Sequence, residues 1–212
     1  MLRIAFRTLL AFALLPICLG AGAANFSFTG NFARDDDVQL FRFAVEGSSL
    51  NLVTLATRSY AGGANSAGVV LPPGGFDPVI ALFDGAGTLI AEDDDGSDVP
   101  DPVTGLSLDA FLQIGIPAGG YFVALTQSPN FALGPSLAEG FELAGIGDFA
   151  GGFVDAFGNP RDGDWALDIL SVASAATIAA EIPAPGTLWL LGVALLGLAL
   201  QRLRAAAQGK VG

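Results

Sequence analysis

The 212 residues include no histidine and a single cysteine, Cys18. Without histidine the chain lacks the commonest general base, the Ser-His and Cys-His nucleophile pairs and the usual zinc sites. Cys18 lies in an apolar run near the N-terminus, so residues 25–181 hold no thiol and no disulfide. Whatever folds there must be stabilised by burial, with metal as a possible supplement. Basic side chains are scarce too. Residues 25–181 contain all 21 acidic residues but only Arg34, Arg42, Arg58 and Arg161, a net charge of −17 against −12 for the whole chain. Such a surface repels phosphate backbones, which excludes nucleic acid as a partner. It suits divalent cations, or it simply keeps a domain in solution.

Apolar residues are concentrated at the two ends. Met1 to Arg7 carries two arginines, Thr8 to Leu19 is almost wholly apolar, and Ala21-Gly22-Ala23-Ala24 is small. This order predicts a signal peptide over residues 1–24, cut after Ala23 or Ala24. Lipidation at Cys18 is disfavoured because Ile17 before it is bulky. At the other end Pro183-Ala184-Pro185 prevents an upstream helix from running on. Thr187 to Leu200 is then uncharged, with Arg202 and Arg204 after it. A helix there would reach about 21 Å, short of a bilayer core of roughly 30 Å. Arginines beyond it predict a basic cytoplasmic tail over 205–212, with the domain outside. The segment 182–204 resembles the PEP-CTERM sorting signal, with Ala184 where that family usually has glutamate. The resemblance implies export, transient anchoring in the inner membrane and processing by an exosortase-type transpeptidase. A plain single-span anchor is the alternative.

Between these ends glycine and proline are frequent and the apolar residues fall in short runs. Strands are predicted at Phe26–Thr29, Gln39–Val45, Leu50–Thr57, Asp77–Asp84, Thr88–Ala91, Leu106–Ile116, Tyr121–Gln127 and Trp165–Val172. Phe41, Phe43 and Val45 share one face of the second. Gly85-Ala86-Gly87 closes a hairpin. Arg58–Gly75 and residues 128–164 show no pattern, and the latter reads as a long insertion or loop. The expectation is an all-β domain over 25–181, a jelly-roll-like β-sandwich of about seven to nine short strands, flanked by an N-terminal signal helix and a C-terminal hydrophobic helix.

Four blocks in order, Asp36 to Phe43, Asp77 to Gly87, Glu92 to Gly96 and Pro117 to Val123, resemble the bacterial pre-peptidase C-terminal domain. The resemblance covers roughly residues 25–127. It implies a small jelly-roll-like sandwich carried by secreted proteins, often stabilised by calcium and sometimes binding matrix or carbohydrate. The long 58–75 and 128–164 segments depart from that pattern.

Two aspartate clusters are the candidate metal ligands: Asp35, Asp36 and Asp37, and Asp93, Asp94 and Asp95 with Asp98 and Asp101 following. Calcium takes six to eight oxygens, which carboxylate-dense loops beside a flexible glycine can supply. Aspartate beside glycine also serves as an ordinary turn residue. Asp162-Gly163-Asp164 reads as a turn. Trp165, Tyr121 and Tyr60 are the aromatics that a sugar ring would stack on, or else core residues. No spacing singles out a catalytic pair of carboxylates. The sequence therefore predicts an exported, non-catalytic protein of the cell surface or extracellular matrix. A calcium-dependent module binding extracellular polysaccharide is the alternative, and a secreted hydrolase a third.

Overall fold

The computed structural model describes residues 22–178. The predicted flanking helices, the sorting residues Pro183, Ala184 and Pro185 and the basic tail lie outside the described residues. Eleven strands occupy this span: β1 (Ala24–Asn31), β2 (Gln39–Val45), β3 (Asn51–Thr57), β4 (Gly63–Ala64), β5 (Val70–Leu71), β6 (Pro78–Asp84), β7 (Leu89–Asp93), β8 (Phe111–Ile116), β9 (Gly119–Gln127), β10 (Asp164–Val172) and β11 (Ser174–Ile178). The other regular element described is one turn of 3-10 helix at Leu137–Glu139, opened by a Ser136/Glu139 capping box.

A four-stranded sheet has the order β1-β10-β3-β8 and a five-stranded sheet the order β11-β2-β9-β6-β7, while β4 and β5 pair alone. Every pairing between these strands is antiparallel. Both large sheets feed one core. Alternation in β2 buries Phe41, Phe43 and Val45 and leaves Arg42 exposed. These meet Val53 and Leu55 of β3, Ile80 and Leu82 of β6, Val123 and Leu125 of β9, and Leu167 and Ile169 of β10 in a single cluster. Two sheets with their inner faces against one apolar layer is the arrangement of a β-sandwich. Trp165 caps that layer with its ring 5.8 Å from Phe41 and nearly perpendicular to it. Its indole lies over Gly30 on the paired strand, where any Cβ would collide with it.

Local chemistry sets the boundaries. At the β6–β7 hairpin Asp84 Oδ1 accepts the amides of Ala86 and Thr88, both at 2.9 Å, and Gly87 takes the left-handed φ of 83° that the turn requires. The strand predicted from Leu106 starts only at Phe111. Before it, Asp109 turns back to the end of β3, where Ala110 exchanges hydrogen bonds with Thr57. β9 begins two residues earlier than predicted because Gly119 and Gly120 pair through their backbones with Val45 and Ala44.

Three strands lie where the sequence predicts none. β4 and β5 fold the 58–75 loop back on itself. β11 follows β10 after Ala173 alone, so the chain crosses from the four-stranded to the five-stranded sheet, with Ser171 at a φ of 65° beside the crossing. The 128–163 segment packs Ala132, Leu137 and Phe141 against Ala81, Phe83 and Ala124 on the outer face of the five-stranded sheet. Phe153 reaches instead to Phe76, ring centroids 5.8 Å apart.

Candidate functional site

Asp35, Asp36 and Asp37 follow β1 in the loop that leads to β2. Asp35 and Asp36 are buried, and their carboxylates face the 128–163 segment. Asp35 accepts the amides of Asp148 and Ala150 at 2.7 and 2.8 Å. Asp36 accepts that of Gly145 at 3.0 Å and pairs its other oxygen with Arg34 at 3.3 Å. Asp37 accepts the amides of Ala33 and Arg34 and shapes its own turn. Short carboxylates next to irregular backbone do this because unpaired amides need acceptors. The cluster clamps a loop.

Asp93 closes β7, its Oδ1 taking the amides of Gly96 and Phe111 at 3.0 and 2.8 Å. Asp94 and Asp95 come next, in the loop. Burial, then the neighbouring charges of Asp94 and Asp93, raise the carboxyl of Asp95 above its ordinary pKa. Among the described residues no three acidic side chains are arranged to hold a metal ion between them. The two predicted clusters thus hold different segments of backbone. Asp162 caps the amide of Asp164 at 3.0 Å, as expected of a turn.

A further set of acids joins Asp101, which trails the second predicted cluster, to Asp109 and Asp155, which the sequence does not single out. Asp109, fully buried, receives the Thr57 hydroxyl and the amides of Ser59, Tyr60 and Ala61. Asp101 receives the amides of Val103 and Thr104 and faces Arg161 at 3.2 Å. Burial works to raise Asp101, but the amides of Thr104 and Val103 and the guanidinium outweigh it and hold the carboxyl below its ordinary value. Arg161 also donates to the carbonyls of Gly75 and Tyr60 and lies 3.7 Å from the centre of the Tyr60 ring. The Tyr60 hydroxyl donates to Asp155 at 2.6 Å. Burial first, and that acceptor second, push its pKa up to about 12. One arginine thereby ties the 58–75, 101–109 and 155–161 loops together. Hydroxyl- and amide-rich loops give no periodic signal; Asp101 trails the second aspartate cluster and opens the local turn pattern Asp-X-X-Thr at 101–104, while nothing marks Asp109 or Asp155.

The candidate sugar platforms are buried. Trp165 and Tyr121 are core residues, Tyr121 stacked on Phe43 at 5.2 Å. Tyr60 lies beneath Arg161. The exposed aromatics described are Phe111 and Phe157.

At the N-terminal edge Ala23 precedes β1, and Ala24 is its first residue, opposite Val172. At the C-terminal edge the last described strand ends at Ile178. Beyond it, residues 181–204 match the family model of the PEP-CTERM protein-sorting motif. The PEP-CTERM motif marks substrates of an exosortase, anchored in the membrane by the C-terminus before processing and then exported to the cell surface. It overlaps the segment 182–204 read from the sequence, with Ala184 between its prolines. No curated protein matches the chain.

Proposed function

We propose that this chain is an exported, non-catalytic β-sandwich that an exosortase releases to the cell surface or extracellular matrix. The observation that carries the proposal is the order of parts: an acidic all-β body whose last described strand ends at Ile178, and a sorting motif starting at residue 181. A pre-peptidase C-terminal-like, jelly-roll-like body is the finer form of this reading. It is supported by where the resembling blocks fall: on β2, on the β6–β7 hairpin, at the end of β7 and on the turn into β9. Mass spectrometry of the exported protein tests the proposal. The expected mature form begins at Ala24 or Asn25 and ends near Pro185. A mature form that keeps Lys210 would leave plain anchoring as the answer.

A second reading, carbohydrate binding, is favoured by the outer face of the four-stranded sheet. Phe111 is 41 % exposed there, and Gln113 on the same face donates to Thr54 at 3.1 Å. A flat ring beside side-chain amide and hydroxyl groups is what a sugar stacks on and hydrogen-bonds to. A glycan array should then report binding that Phe111→Ala removes. Equal signals from both proteins, or silence from both, would count against it.

A further inference from the structure

Where β6 begins and β9 ends, the 128–163 segment roofs a cavity of about 580 Å³ whose walls include Asp77, Ser128, Leu143, Phe149 and Asp155. Asp77 is only 6 % exposed, and its Oδ1 has no hydrogen-bond partner. The backbone carbonyl of the same residue accepts from Ser128 at 2.8 Å, which fixes the residue in place at the cavity wall.

The charges that act on this carboxyl most strongly are all negative: Asp95, Asp94, Asp155 and Asp109. Two of them are already satisfied. Asp109 is surrounded by amides, and Asp155 accepts from Tyr60, Phe157 and Asn159. Arg161, the buried guanidinium of the neighbouring network, is committed to Asp101 and two carbonyls. A buried carboxylate oxygen without a donor is costly, and more so in a field of like charge. A proton or a cation would relieve it. The cavity is large enough for an ion with its waters, and the scarcity of converging carboxylates suits an ion that keeps most of them, as magnesium does when one or two carboxylates hold it.

We propose that the Asp77 cavity is a site for a hydrated divalent cation, with Asp77 Oδ1 as its protein ligand and Asp94 and Asp95 supplying attraction from the adjoining loop. This moves the direct ligand from the predicted Asp35–Asp37 and Asp93–Asp95 clusters, where Asp35, Asp36 and Asp93 serve amides or Arg34, to a residue that neither aspartate-rich run contains. It is independent of how the chain is sorted.

Thermal unfolding of the detergent-solubilised full chain at neutral pH, titrated with magnesium or calcium chloride, tests the site. Sodium chloride at matched ionic strength is the reference, and Asp77→Asn and Glu46→Gln are the comparisons. An ion at tenfold its dissociation constant should raise the wild-type Tm by about 3–6 °C. Asp77→Asn should melt no lower than wild type in the absence of divalent ions and should not respond to them. Glu46→Gln, a change at an exposed turn, should respond as wild type does. The proposal is overturned if Asp77→Asn responds as fully as wild type, if wild type does not respond, or if sodium reproduces the shift. Should Asp77→Asn not fold, Asp95→Asn takes its place: it should move the midpoint to higher ion concentration, and an unmoved midpoint overturns the proposal equally.

Discussion

Asp77 holds a buried carboxyl oxygen without a hydrogen-bond partner among like charges. Burial first, then Asp95, Asp94, Asp155 and Asp109, push its pKa up to about 8 from an ordinary value of 3.8. The folded protein therefore holds a proton that the unfolded chain has lost, over the window from about 4 to about 8. Stability rises with pH only where the unfolded state binds more protons. Here it binds fewer, so this carboxyl makes stability fall as pH rises through the window, by at most about 1.4 kcal/mol per pH unit, and it adds no slope on either side. Urea midpoints taken across roughly pH 5 to 8 should fall more steeply for wild type than for Asp77→Asn. Parallel curves would show that the carboxyl is already ionised when folded. A bound divalent ion should flatten the wild-type curve, because it competes with the proton for the same oxygen.

At the scale of elements, strands with strict alternation are legible in the sequence and those defined by a distant partner are not. β2 has its predicted bounds because Phe41, Phe43 and Val45 alternate with polar or small residues. β6 is legible as an apolar run, buried on both sides, since the 128–163 segment covers its outer face. β11 is Ser-Ala-Ala-Thr-Ile, a sequence of small residues whose strand state comes from pairing with β2. The same holds for the aspartates. Their positions in Asp-rich loops are legible, but what they touch is not: Asp35 meets amides 113 and 115 residues away. Asp35→Ala should leave the Asp148 and Ala150 amides without acceptors, at a cost of about 1–3 kcal/mol. Hydrogen exchange should speed up first around residues 145–150, and protection unchanged there would show that the clamp holds nothing.

For the whole molecule, the features that identify its class lie in the order of its parts and not in any one site. An absence of histidine and a net charge of −17 over residues 25–181 are chemical facts about the body, whereas the sorting motif assigns its destination. The all-β architecture is legible from composition and turn chemistry, because short apolar runs broken by glycine leave little room for helix. The sheet order and the buried Arg161 network are not, because both depend on residues brought together across the chain.

β11 ends at Ile178, and the matched motif begins three residues on. The uncharged run opens only at Thr187, nine residues beyond Ile178, and fully stretched that length of backbone reaches about 30 Å. A cut near Pro185, between the body and that run, would leave the released protein a stub of about seven residues after its last described strand.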